Sequence, residues 1–322
     1  MRYNIKKYQS QSAKIWNDFI NRSANGTFLH QRDYMDYHAE RFTDFSLMIY
    51  EGEKLKAVLP AHRIKNVLYA HNGLTYSDFI FHFKAKLEHK IAIIQTALQY
   101  LNEHDITKLY IKTIPFIFGK ITDQSNEYIY HQLQAGLISV KPFFVYLKRN
   151  EIKPNRNRLK NIKKLAMQDY KIVQGKEKLS DFWKLVEHNL KSRYQSHPVH
   201  SLEEMEKLIN NFPEQIKLYS LLHKNQILAG ALVYYINNAL HFQYIHSVLP
   251  KEERMAVEWL IYDIVNRHAH FEYISFGTSA VENNNLNKGL AYWKQSFGSV
   301  LINQYHYEIS THNYQRLNEV LQ

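Results

Sequence analysis

The feature that most constrains the fold of this 322-residue chain is a succession of hydrophobic periods that runs through it twice. In the first half, residues 12–20 and 31–41 have helical spacing, and the period then changes to two. Residues 45–50 and 55–64 flank the polar turn Glu51-Gly52-Glu53-Lys54, the pattern of an antiparallel hairpin, and residues 67–70 and 74–80 extend the sheet. Leu87, Ile91, Ile94, Leu98 and Leu101 then make the apolar stripe of a helix, followed by a strand at 109–113, a helix around 123–134 and a strand at 137–147. The second half repeats the order: helices at 178–193 and 201–211, strands at 216–223, 227–236 and 240–247, a helix with Ala256, Leu260 and Ile264 on one face, a strand at 273–276, a helix at 285–297 and a strand at 300–309. Each half closes its own core, so the expected fold is α/β with mixed sheets in a tandem duplicated domain. The expected boundaries are residues 1–150, a connector at 151–164, and residues 165–322.

Composition agrees and removes several chemistries. The length exceeds what one hydrophobic core organises, and 45% hydrophobic with 22% charged residues is a globular balance. The absence of cysteine excludes disulfides, thiolate nucleophiles and cysteine metal sites. No helix carries a His-x-x-x-His pair, so no metal is expected. Only 10 glycines argue against a fold built on glycine-rich phosphate loops. The N-terminus has no apolar h-region, and the longest apolar run, residues 227–236, is half of a membrane span, so a soluble cytoplasmic protein is expected. Forty-one Lys plus Arg against 30 Asp plus Glu leave a net charge of +11, which attracts phosphates without naming a partner. The charge concentrates between the halves, where residues 148–164 hold eight bases against the single acid Glu151. Such a segment is either a solvated connector helix or a phosphate-contacting surface.

In the first half Asn25-Gly26-Thr27-Phe28-Leu29, Tyr34-Met35-Asp36-Tyr37-His38, Arg41-Phe42, Leu59-Pro60-Ala61 and Gly73-Leu74-Thr75-Tyr76 stand in order. The basic connector at 156–164 follows. In the second half come Arg193, Pro198-Val199-His200-Ser201, Phe276-Gly277-Thr278-Ser279, Leu286-Asn287-Lys288-Gly289-Leu290, Trp293-Lys294 and Phe297-Gly298. This ordered set, over nearly the whole chain, resembles the FemAB-like (Fem peptidyltransferase-like) double-domain branch of the GNAT acyltransferase superfamily. The resemblance implies transfer of an acyl or aminoacyl group to an amine, in a cleft between the two lobes. The donor it implies is acyl-CoA or an aminoacyl-tRNA, and the acceptor an amino sugar or peptide precursor of a cell-surface polymer. The chain departs from the ordinary CoA pattern at residues 250–256, where no glycine permits close backbone approach and Glu252 and Glu253 oppose an anion; Lys251 and Arg254 are the candidate phosphate contacts. A non-catalytic RNA-binding protein using the basic connector is the reading from a different class.

Amine acylation needs a base, donors for the oxyanion and a dry cleft. Lys294 is either a last-turn partner of its helix dipole or, as the resemblance implies, a residue facing donor and acceptor. His241 and His246, five positions apart, are expected on opposite faces of a strand, with His246 the better candidate because it nears the strand end. His200 lies in a loop before a helix that Ser201 and Glu204 cap, and with Arg193 it is placed to meet a substrate carboxylate or phosphate. Tyr37 and Trp293 are candidates for stacking on a substrate, and Thr75 and Tyr76 for the cleft; Ser279 and Asn287 complete the substrate-binding set.

Overall fold

The computed structural model describes residues 2–148, 153–165, 169–248, 255–279 and 285–320. The chain divides into two compact units, one made of Met1–Lys141 with Asn303–Gln322 and one of Pro142–Ile302.

The first unit holds α1 (Ala13–Arg22), α2 (Arg32–Met35), α3 (Leu87–Glu103) and α4 (Ser125–Gln132). Four of its strands, β1 (Asn4–Lys7), β2 (Leu47–Glu51), β3 (Lys54–Leu59) and β6 (Ile80–Phe81), form an antiparallel sheet in the order β1-β2-β3-β6. A second set runs β4-β5-β7-β14, from β4 (His62–Ile64), β5 (Val67–Tyr69), β7 (Lys108–Lys112) and the part of β14 (Val300–Ser310) that belongs to this unit. The stripe Ile91, Ile94, Leu98 and Leu101 of α3 is fully buried against Leu47, Ile49, Leu109 and Ile111. The expected helix at 31–41 is the short α2 followed by a 3-10 helix, Asp36–Arg41. The expected strand at 55–64 breaks into β3 and β4 at Pro60, which has no N–H for a ladder.

In the second unit, the later part of β8 (Gly136–Leu147) leads a run of strands ordered β8-β13-β12-β11-β10-β9. These are β9 (Lys171–Gln174), β10 (Ile216–His223), β11 (Gln226–Ile236), β12 (Ala239–Ser247) and β13 (Tyr273–Thr278). Its helices are α5 (Arg156–Leu165), α6 (Leu179–Tyr194), α7 (Leu202–Asn211), α8 (Ala256–Arg267) and α9 (Lys288–Gln295). Ala256, Leu260 and Ile264 of α8 bury against Ala229, Ala231, Val233, Leu240 and Phe242, as their spacing requires. Strands β12 and β13 are parallel, joined by the α8 crossover, whereas the other pairs recorded in this unit are antiparallel.

The units do not break where the periods change. The last twenty residues, expected in the second domain, lie in the first unit because Ile309 and Leu317 bury into its core. The connector is also no free linker. Arg158 of α5 is buried, ion-paired with Glu258 of α8, and donates to Ser296 Oγ at 3.0 and 2.7 Å, with its guanidinium 4.8 Å from the Phe297 ring centroid. Ile162, one turn on, is 2% exposed, and Arg156, Lys160 and Lys163 keep the outer face. Among the described residues no helix is long and apolar enough to cross a membrane.

Candidate active site at a strand fork in the second unit

Strands β12 and β13 share only three register pairs, Ala239 with Tyr273, Leu240 with Ile274 and His241 with Ser275. Just beyond the last pair, both strands bulge away from regular pairing. On β12, Tyr244 faces Leu232 and Phe242 faces Val233, so Gln243 is an extra residue with no partner of its own on β11. On β13, Ser275 faces Val145 and Thr278 faces Phe143, leaving two residues opposite one, and Gly277 has φ +66°. That left-handed backbone is the reason for glycine at this position. Two bulges side by side open a fork whose inner backbone groups are not spent on a β12–β13 ladder.

The β12 bulge overturns the expectation that His241 and His246 face opposite ways. His241 lies opposite Tyr234 and His246 opposite Gly230, four positions apart on β11, so both project from one face. Tyr244, opposite Leu232, joins them, and this is the face that α6 covers: the Phe182 ring lies 6.3 Å from His246, and Trp183 meets Tyr244 edge-on at 5.2 Å.

Lys294 stands at the mouth of the fork. Asn287 caps α9 by accepting the Leu290 N–H at 2.9 Å, and Lys294 in the last turn is 5% exposed. Its Nζ donates to the carbonyls of Gly277 at 3.2 Å and Thr278 at 2.5 Å, the groups that the β13 bulge turns toward it. The Phe144 ring lies 5.7 Å from Nζ. Burial pushes the ammonium down to about 7, so near neutrality it exchanges between charged and neutral forms. His241 is held by Ser275, whose Oγ accepts the Gly277 N–H at 3.2 Å and lies 3.0 Å from His241 Nδ1. Burial, assisted by the Lys294 charge and opposed by a hydrogen bond with Gln243, pushes His241 down to about 4; it is a neutral imidazole at pH 7.

His200 comes to this face through Tyr244: its Nδ1 lies 2.9 Å from the Tyr244 hydroxyl. The capping box read in the sequence is present, with Ser201 Oγ accepting the Glu204 N–H at 3.1 Å and Glu204 Oε2 accepting the Ser201 N–H at 2.8 Å. Burial raises the Tyr244 phenol to about 12, against backbone hydrogen bonds from His200 and Val199. Asn189 of α6 donates to the Ser247 carbonyl at 2.8 Å, tying this helix to the end of β12.

The other expected residues separate into groups. Ser279 follows the bulge, buried, with its Oγ unpartnered among the described residues and its carbonyl accepting the Asn287 N–H at 2.9 Å. Trp293 turns into the core, edge-on to Phe297 at 5.1 Å, and so is a packing residue rather than an open stacking surface. Tyr37, Thr75 and Tyr76 belong to the first unit. There Tyr37 packs edge-on to Tyr34 at 5.8 Å, and the Thr75 carbonyl accepts Gln304 Nε2 at 3.1 Å. Tyr76 is enclosed, stacked on Phe118 at 5.1 Å, so its ring is structural in that unit. Lys251, Arg254 and the side chain of Arg193 lie outside the described residues. Sequence reasoning missed Tyr244, Ser275 and Gln243. The one available signal was Gly277 inside a strand pattern, which marks a bulge.

The chain matches no protein-family model, and no curated protein matches it in sequence. Its fold is the tandem GNAT fold. It is similar to FemX at a TM-score of 0.67, with 10% identity over 97% of this chain and 99% of that one. It is also similar to a tandem GNAT protein from the clavulanic acid biosynthesis pathway (TM-score 0.53, 11% identity, 96% and 98% covered). L-PGS from Bacillus licheniformis aligns at a TM-score of 0.57 and 8% identity, covering 85% of this chain and 90% of that one.

Proposed function

We propose that the protein is an N-acyltransferase that moves an acyl group from acyl-CoA to an amino group of an amino-sugar or peptide precursor of a cell-surface polymer, with the β12–β13 fork as its reaction site. The observation that carries this reading is the buried Lys294 ammonium, which among the described residues meets no carboxylate and spends two of its three N–H bonds on the bulged strand. The third, which has no partner among the described residues, would go to the oxygen of an acyl carbonyl lodged in the fork. As the acceptor nitrogen bonds to the carbonyl carbon, the C=O pair moves to oxygen and the Lys294 N–H stabilises the oxyanion. Collapse restores the C=O and breaks the C–S bond, and the thiolate takes up a proton. The amine loses its proton to an imidazole on the α6-covered face, for which His200, hydrogen-bonded to Tyr244, and His246 are the two candidates. Negative charge on the oxyanion raises the affinity of Lys294 for its proton, which favours the charged form at that moment.

Donor phosphates would fall to Lys251 and Arg254. A second reading, with aminoacyl-tRNA as donor, is favoured by the outward row Arg156, Lys160 and Lys163. Offering acetyl-CoA, longer acyl-CoAs and charged tRNA with amino-sugar and peptide acceptors, and reading products by mass, tests both. Amide product from a thioester supports the first reading and product from charged tRNA alone the second. No product from any donor, with RNA binding that collapses steeply in salt, would instead favour a non-catalytic RNA-binding protein.

A further inference from the structure

Lys294 reaches the fork from the last turn of α9, a helix of eight residues. A helix this short has no stability of its own and takes its position from its contacts. At its start Asn287 caps it and gives its N–H to the Ser279 carbonyl at 2.9 Å. Its end is held by α5. Ser296, the residue that closes α9, gives its Oγ–H to the Trp293 carbonyl at 2.6 Å, in the peptide unit that joins Trp293 to Lys294. The same Oγ accepts Arg158 Nε at 3.0 Å and Nη2 at 2.7 Å, and the Ser296 carbonyl accepts the Asn155 N–H at 3.0 Å. Asn155 Oδ1 accepts the Arg158 N–H at 2.9 Å, so both contacts with Ser296 start from the beginning of α5.

The Arg158 guanidinium is engaged on three sides. Nη1 pairs with Glu258 of α8, Nε and Nη2 meet Ser296 together, and the Phe297 ring lies against Cζ. A lysine could supply the charge but not the two-pronged contact. Because α8 is the crossover from β12 to β13, one guanidinium ties the helix that carries Lys294 to the helix that joins the two strands of the fork. A buried ion pair contributes little stability beyond apolar residues of the same size, so its value here lies in fixing one geometry. Burial holds Lys294 down to about 7, and its titration therefore reports how deeply the end of α9 seats it.

We propose that Arg158 is a positioning residue for the acyl transfer: through Ser296 it seats the last turn of α9 so that Lys294 meets the Gly277 and Thr278 carbonyls at the fork. Its effect on turnover rests on the reaction proposed above; the seating of Lys294 does not.

The test follows the Lys294 side chain of the full-length protein by carbon-13 NMR against pH, beside kcat, KM and denaturant unfolding. Ser296→Ala keeps the Arg158–Glu258 pair and cuts its link to α9, which guards against a fold lost with the buried charge. In this variant the Lys294 inflection should rise by at least about one pH unit as water reaches the ammonium. At pH 7 kcat should fall about tenfold with KM within about twofold, although more of Lys294 is then charged. Arg158→Lys should behave like Ser296→Ala, and Ser296→Thr, which keeps the hydroxyl, should restore both the inflection and kcat. Leu208→Ala, a cavity beneath α7, should lower stability and leave the inflection near 7. An inflection that stays near 7 in both Ser296→Ala and Arg158→Lys, or that moves equally in Leu208→Ala, would overturn the positioning role. A raised inflection with unchanged kcat would uphold the seating and overturn instead the part given to Lys294 in the reaction.

Discussion

In the first unit β5 runs parallel to β7 for three pairs, Val67 with Lys108 to Tyr69 with Tyr110; in the second, β12 runs parallel to β13 for three pairs as well. Beyond them the chain does opposite things. In the first unit it turns at His71, with φ +35°, and Ser77 returns to bridge Lys112, giving its N–H to the Lys112 carbonyl at 2.9 Å. The open edge of β7 is thereby filled by the protein's own loop. In the second unit β12 continues to Ser247 beside β11, no ladder bond joins it to β13 past His241, and the Gln243 and Gly277 bulges keep the two strands from pairing further. A filled fork cannot admit an acyl carbonyl, and an open one can. Each fork carries a lysine on two backbone carbonyls, with different work. Lys112 takes carbonyls of the filling loop and pins it, whereas Lys294 takes carbonyls of the bulge, and the proposed reaction assigns its last N–H to the acyl oxygen.

The sharpest way to break this contrast is to remove each ammonium in turn. Lys294→Met, which keeps most of the side-chain volume, should lower kcat by about 10² to 10³, the usual effect of losing one oxyanion donor. Lys112→Met should leave kcat within about twofold but cost roughly 1 to 3 kcal/mol in denaturant unfolding, because the Asn72 and Leu74 carbonyls lose their partner. Equal kinetic losses would erase the difference between the forks.

Gly277→Ala should cost about 1 to 2 kcal/mol for its left-handed backbone and bring a methyl to 3.4 Å from His241 Cε1. The accompanying shift of the Gly277 carbonyl should lower kcat about tenfold, read alongside thermal unfolding. Normal turnover in a destabilised variant would show that the bulge serves packing only.

A smaller effect follows from linkage. Lys294 titrates near 7 when folded and near 10.4 when unfolded, so between these values the unfolded chain holds the extra proton and stability rises with pH. Lys294→Met should flatten this rise across pH 7 to 10, and Lys112→Met should flatten the narrower part above about 8.

The order of elements was legible because the stripe of α3, the face of α8 and the alternation of β10 and β11 are local patterns. Pairings between distant segments were not. The last twenty residues join the first unit through Ile309 and Leu317, and nothing local in them names that core. Arg158 reads as one more charge in a basic run until Glu258, a hundred residues on, is seen beside it. Lys294 was reached through resemblance and His200 through its place before a capped helix, and their partners only through structure. The shared face of His241, Tyr244 and His246 depends on one extra residue against β11, and counting by twos along β12 alone gives the opposite answer.

The central claim is that Lys294 works as an ammonium at the open fork. Its most direct test is the pH dependence of kcat beside a carbon-13 NMR titration of the Lys294 side chain in the same buffer. The account predicts a tenfold decline per pH unit above an inflection near 7, coincident with the titration of Lys294 and absent from the residual activity of Lys294→Met. A rate that climbs through that inflection, or that ignores it, would contradict the account.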